Sequence, residues 1–186
     1  MAFYQDGKAV FAKAMGKLVE RMPLDSITVN DIVAEASASR TTFYRYFKDK
    51  NDLLAYVYTK MASDLIEHAE RMHKSNYDLA LDIIEYINSR PEFFRKAFAD
   101  NGQNSFYDTY CGYTCDVWVQ RIRKADNCAS EVVLLVAKAY AIGTCAIVKE
   151  WVLNGYKDSA QTIARACDSA CPQILKEYKE CAEESC

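Results

Sequence analysis

Between Ser37 and Lys50 the chain sets Arg40, Arg45, Lys48 and Lys50 against one acid, Asp49, and interleaves them with Thr41, Thr42, Tyr44 and Tyr46. A guanidinium donates two parallel bonds to O6 and N7 of guanine, a threonine methyl fits the thymine methyl, and hydroxyl and ammonium groups reach phosphate oxygens. A helix face that merely meets solvent more often alternates Glu and Lys, so the cluster reads as a surface for double-stranded DNA. The chain as a whole has the opposite sign. Its formal net charge is −3, with residues 1–60 at +2 and residues 61–186 at −5, so a local positive surface stands on an acidic body.

The other reactive side chains are cysteines and aromatics. All eight cysteines (Cys111, Cys115, Cys128, Cys145, Cys167, Cys171, Cys181 and Cys186) follow residue 110. Cys111/Cys115 and Cys167/Cys171 are spaced i,i+4, which puts each pair on one helix face. Packing of small apolar thiols is the first reading, and a redox or metal sensor is the second. There is no CxxC, and His68 and His73, the only histidines, are not close in sequence to either pair. Phosphate-cradling GxGxxG and GxxxxGK and the HExxH pattern are absent too, so neither a cofactor nor a metal is expected. An enzyme survives only as a thiol enzyme using Cys111 or Cys167. From Phe93 to Trp118 the aromatics are dense, and either they fill a core or they wall a small-molecule site. The candidate ligand-binding residues are Phe94, Phe98, Tyr107, Tyr110, Tyr113 and Trp118, with Asp108 as a polar contact. An acidic body favours an uncharged or cationic ligand there over an anion.

Positioning these groups falls to helices. Six Gly and three Pro in 186 residues are too few for the many turns of a sandwich or barrel, which predicts an all-α fold. Phe11, Ala14, Met15, Leu18 and Met22 recur at helical spacing and Pro23 ends the run. Thr28 with Asp31, then Ser39, then Asp49 provide three caps for three closely spaced helix starts. Two short helices joined by a tight turn form a helix-turn-helix. On its second helix Phe43 and Phe47 face Ile32 and Ala36, while Thr41, Arg45 and Lys48 face away, with Tyr44 on one flank and Thr42 and Tyr46 on the other.

The segment from Thr28 to Leu54, TVNDIVAEASASRTTFYRYFKDKNDLL, closely resembles the N-terminal signature of the TetR family of bacterial transcriptional regulators. Ser39, Arg40, Thr42, Phe43, Tyr44, Phe47, Lys48, Asp49, Lys50, Leu53 and Leu54 stand where that pattern places such residues. The resemblance implies a three-helix DNA-binding head, a helical ligand-binding and dimerisation bundle behind it, and a dimer on a palindromic operator. It also implies that Arg40, Thr41 and Arg45 face bases, and that Thr28, Thr42, Tyr44, Tyr46 and Lys50 reach phosphates. Ser37 and Ala38 depart from the family's preference for Gly and an aliphatic residue, so a positive φ in the turn would carry a modest penalty.

Further along, Val132–Val148 carries Lys138 as its only charge and is too short for a membrane span. It reads as a helix buried on most sides, running from Glu131 to Asn154. Its small residues, Ala137, Ala139, Ala141, Gly143, Thr144 and Ala146, favour close approach of a partner helix. Gly143 to Tyr156 is similar to the same helix in a TetR-like subgroup that includes regulators of dihydroxyacetone kinase genes. Asn101 to Ser105, with Gly102, reads as a loop, and Ser159 caps a last helix running to Glu180 that Pro172 should kink. Taken together, residues 1–50 are expected to form the DNA-binding domain and residues 51–186 the effector-binding and dimerisation domain. The expected protein is a cytoplasmic homodimer, a repressor released from its operator by a small-molecule effector, with activation the other sign and no membrane partner. An architectural or division-control DNA binder on the same fold is the alternative.

Overall fold

The computed structural model describes residues 7–99, 105–176 and 178. They form α1 (Gly7–Arg21), a 3-10 turn (Leu24–Ser26), α2 (Val29–Glu35), α3 (Arg40–Tyr46), α4 (Lys50–Arg71), α5 (Asn76–Asn88), α6 (Pro91–Ala99), α7 (Phe106–Ala125), α8 (Glu131–Leu153) and α9 (Ala160–Ser169). The boundaries follow local chemistry. Thr28, Ser39, Asp49, Ser75, Ser105, Ser130 and Ser159 each accept a backbone N–H three residues on, and such a cap is worth about 1 kcal/mol. Thr28 and Ser75 complete reciprocal boxes with Asp31 and Asp78.

In the head, α1 crosses α2, α3 and α4. Phe11 meets Phe43 and Phe47 edge-on at 5.4 and 6.1 Å, and all three are buried. Each contributes about 2–3 kcal/mol by leaving water. The turn between α2 and α3 places Ser37 at φ 51°, in the left-handed region, and Ala38 N–H closes it onto the Val33 carbonyl at 2.9 Å.

The body packs α7 on α8 and α5 on α9, while α4 runs from the head into contact with α5 and α7. One buried cluster extends without a break from Phe11 and Phe43 through Leu53 and Tyr58 to Phe98, Val148 and Ala164. Two sequence expectations change, and one helix went unread. The last helix does not continue through a kink: α9 stops at Ser169 and helix resumes at residues 173–176, after Pro172, whose ring and missing N–H cannot sit inside a helix. The stretch to Glu180 and the loop residues Asn101 to Asn104 lie outside the described residues, as do Cys181 and Cys186. The α8 helix is not buried on most sides: Ala137, Ala141, Cys145 and Val148 face inward, whereas Val132, Leu135, Ile142 and Ile147 are exposed. It is the one described helix long and apolar enough to cross a membrane, and its inner face is part of the core. Finally, α5 was not read from sequence at all, although Ser75 and Asp78 followed by Leu79, Ile83, Ile84 and Ile87 carry its capping and period.

Candidate nucleic-acid interface and interior cavity

Burial of Phe43 and Phe47 fixes the rotation of α3, and the opposite face presents Arg40, Thr41, Tyr44, Arg45 and, just beyond the helix, Lys48 to solvent. Both arginines are held. Arg40 donates from Nη1 to Asn30 Oδ1 at 2.9 Å and from Nη2 to the Tyr44 hydroxyl at 3.4 Å. Arg45 donates to the Tyr46 hydroxyl at 3.0 Å and lies 4.9 Å from that ring. Each guanidinium keeps further N–H groups outward, and its side-chain entropy is partly lost before any partner arrives. Tyr46 is half-buried against Phe11. Gly7 leaves room for its ring, since a Cβ there would come to 2.4 Å.

Three of the residues expected at phosphates are engaged inside the head. The Thr28 hydroxyl donates to Asp31 at 2.6 Å, and hydrogen bonds from Thr28 hold the Asp31 carboxyl below the usual carboxylate range. The Thr42 hydroxyl is hydrogen-bonded to Ser39 Oγ at 2.9 Å. Lys50 stands apart from the outward group, for its Nζ donates to the carbonyls of Leu24 and Ile27 at 2.9 and 3.0 Å. On the far side of α2, Glu35 is bound by Lys17 and Arg21, chiefly the Lys17 hydrogen bond lowering its pKa. That acid is therefore compensated away from α3.

Within the body, α4, α5, α7, α8 and α9 line a partly open cavity of about 120 Å³ whose aromatic walls are Tyr58, Tyr110, Tyr113, Trp118 and Tyr140. An adjoining cleft of about 240 Å³ shares Asn76, Leu79, Trp118 and Arg121 with it. Burial raises the Tyr58 and Tyr110 hydroxyls well above the ordinary tyrosine range, and Tyr140 donates to the Cys167 carbonyl at 2.7 Å. Of the six aromatics expected at a ligand, Tyr110, Tyr113 and Trp118 line the cavity. Phe94 and Phe98 do not, because α6 packs them into the solid core, Phe98 at 5.1 Å from Phe106. Tyr107 does not either; it stands a turn nearer the start of α7, with Lys149 Nζ 4.2 Å from its ring. Asp108 is exposed and its backbone N–H is what Ser105 caps. Tyr58, Tyr140, Asn76, Arg121 and Asp168 line the cavity without having been anticipated. Arg121 had a signal, for it follows Trp118 by three and Val117 by four residues on α7.

The described cysteines are free. Burial pushes the Cys167 thiol up to about 11 and raises Cys115, Cys145 and Cys171 as well, so these four are protonated near neutrality and poor nucleophiles. Among the described residues no group of three or more His, Cys, Asp or Glu is placed to hold a metal.

Residues 17–57 match the model of the bacterial regulatory proteins of the tetR family, and residues 74–170 match that of a transcriptional regulator C-terminal region. The HTH-type dhaKLM operon transcriptional activator DhaS of Lactococcus lactis subsp. lactis (strain IL1403) is 25% identical over 149 residues, 78% of this chain and 79% of DhaS. An HTH-type transcriptional regulator of Staphylococcus aureus (strain USA300) is 25% identical over 133 residues, 57% of this chain and 72% of that protein. In solved structures the fold is shared with the dihydroxyacetone kinase operon activator DhaS, at TM-score 0.58 and 21% identity over 94% of this chain and 97% of that one. It is shared also with a TetR transcriptional regulator from Rhodococcus sp. RHA1, at TM-score 0.65 and 18% identity over 90% and 97%.

Proposed function

The chain belongs to the TetR family of DNA-binding helix-turn-helix transcription regulators, and from that premise we propose a cytoplasmic homodimer that reads a palindromic operator through α3 and responds to a small effector in the interior cavity. The observation that carries the DNA face is the pair of exposed, tyrosine-held arginines on α3. Arg40, Thr41 and Arg45 take base edges. Tyr44 and Lys48 take phosphates, with Thr42 and Tyr46 at the flank, and Thr28 and Lys50 act chiefly by holding the head in shape. Residues 1–50 supply the DNA contacts and residues 51–186 the effector and dimer contacts, α4 serving both.

Dimerisation is supported by the exposed row Val132, Leu135, Ala139, Ile142 and Ala146. Its three-and-four spacing fits a second helix, and an isologous pairing would cover both copies. The cavity favours a ligand-responsive regulator over an architectural DNA binder, and the raised thiol pKa values tell against a cysteine sensor. The sign of control is a property of the promoter. An operator overlapping the promoter gives the repression read from sequence, and one upstream gives the activation that DhaS is named for.

Selecting genomic fragments with the purified protein and sequencing them should return one or a few inverted repeats beside a gene. On that operator, Arg45→Ala should cost about 1–3 kcal/mol per half-site and relax base preference, whereas Lys48→Ala should weaken all sequences alike and reduce the salt slope by about one per half-site. Titration showing neither variant altered would remove α3 as the reading helix.

A further inference from the structure

Three hydroxyls that face the cavity from α7 and α8 already have acceptors. Thr114 donates to the Tyr110 carbonyl and Thr144 to the Ala141 carbonyl, both at 2.8 Å, and Tyr140 to the Cys167 carbonyl. Arg121 has none. Its guanidinium lies where the cavity meets the adjoining cleft, half-buried, 5.9 Å from the Trp118 ring, and makes no hydrogen bond or ion pair among the described residues. Asn76, on α5, lines both spaces beside it, and its amide too has no hydrogen bond among the described residues.

The charges around Arg121 do not cancel it. Glu70 attracts it but stays beyond ion-pair distance, at the wall of the outer cleft. Lys124 lines that cleft with the same sign as Arg121, and Lys74 there is taken by Asp82 at 2.6 Å. A cation withdrawn from water without a counter-charge is costly, and burial accordingly pulls the Arg121 pKa below the usual arginine range. The rest of the wall is mostly aromatic and aliphatic, and Asp168, which lines the same cavity, is not among the charges that act on Arg121, so the guanidinium itself stands short of one negative charge. The overall acidity of residues 61–186 does not decide the matter, because surface charges farther than about 10 Å are screened at ordinary salt.

We infer that the cavity binds a small organic monocarboxylate, its carboxylate held by Arg121 with Asn76 donating beside it, and its apolar body against Trp118, Tyr113 and Tyr140. The inference rests on the effector reading of the same cavity and replaces the uncharged or cationic ligand expected from the net charge of the body. A guanidinium matches a carboxylate with two parallel bonds. A phosphate dianion would leave a surplus charge among aromatic rings, since Arg121 lines the cavity itself and Lys124, the next cation, lines only the outer cleft. The volume of about 120 Å³ is a little below the roughly 150 Å³ that takes benzene, so the cavity holds an apolar body of at most about that size, with the carboxylate lying toward Arg121 and the adjoining cleft of about 240 Å³.

The test is calorimetric titration of the full chain with benzoate and hexanoate, each against its neutral amide, benzamide and hexanamide. The wild type should bind at least one acid tenfold or more tighter than its amide. Arg121→Gln should abolish the difference by weakening the acid tenfold or more while leaving the amide unchanged. Should Arg121→Gln melt far below the wild type, Arg121→Lys carries the test, for it keeps the charge, loses the fork and should weaken the acid alone, by severalfold. No binding by either acid, acids no tighter than amides, or undiminished acid binding in a well-folded variant overturns the inference. Operator affinity measured with the same compounds separates it from the effector reading. Arg121-dependent binding that leaves operator affinity unmoved keeps the anion site and removes the effector role. Amides that shift operator affinity as well as the acids do keep the effector role and overturn the anion site.

Discussion

Ser37 shows how a single residue conflicts with the turn it occupies. Its φ of 51° is one that a side chain resists and glycine does not, yet the turn it makes sets the angle between α2 and α3. Replacing it by glycine relieves the strain but adds unfolded-state freedom worth about 0.4–1 kcal/mol, so Ser37→Gly should stabilise by a net of about 0.5–1 kcal/mol. Urea unfolding with an unchanged slope and a higher midpoint is the expected result, and a lower midpoint would mean that the serine hydroxyl matters more than the strain. At this scale the sequence was most legible where a residue acts on near neighbours. Thr28, Ser39 and Asp49 cap where their spacing indicated, and Phe43 and Phe47 turn inward as the helical wheel requires. Lys50 was read less well because its partners, the Leu24 and Ile27 carbonyls, are more than 20 residues away, and nothing in a basic residue's type says whether it meets a phosphate or its own backbone.

Among the elements, α8 differs from the others in having two apolar faces. The inner one closes on α7, and the outer one leaves Leu135 57% and Ile142 52% exposed, an area that in a single chain would favour association. A Cβ on Gly143 would meet nothing within 4 Å, so a side chain there disturbs no contact of its own chain. Gly143→Glu should therefore leave the helical content intact, dissociate the dimer at micromolar concentration, and lower operator affinity at least a hundredfold with α3 untouched. Sedimentation that still shows a dimer would put the interface on another face. The extent of α8 was legible, for the stretch read as Glu131 to Asn154 is the helix Glu131–Leu153. Its exposed face was not, because a helix apolar all round reads alike whether its second partner lies in the same chain or in another copy. The cavity was legible only by half for a related reason. Tyr110, Tyr113 and Trp118 sit in the aromatic run that attracted notice, but Tyr58, Asn76 and Tyr140 come from three other helices, and tertiary packing alone brings them together.

Across the whole molecule, two of the links between head and body differ in mechanics. The first is α4, one uninterrupted helix from the Asp49 cap to the cavity wall at Tyr58, Ala62 and Ile66. The second is an ion pair between Lys96 on α6 and Asp25 in the 3-10 turn, beside the carbonyls that Lys50 holds. The far end of that link is fixed as well, because Tyr156, after α8, donates to the Pro91 carbonyl at the start of α6 at 3.0 Å. The Lys96 hydrogen bond lowers the Asp25 pKa, so the link is present at neutral pH and is lost as pH falls through that depressed value, below the ordinary carboxylate range. If α6 carries information between the cavity and α3, then by reciprocity DNA binding must be felt in α6. Adding operator DNA should slow amide exchange across residues 94–98 in the wild type. In Lys96→Ala most of that added protection should vanish, while operator affinity, which depends on α3, changes less than threefold. Raising the salt to about 1 M, where the screening length is about 3 Å, should mimic the substitution in part for any operator fragment that stays bound. Equal protection of α6 in the wild type and in Lys96→Ala would leave α4 as the sole route from cavity to DNA.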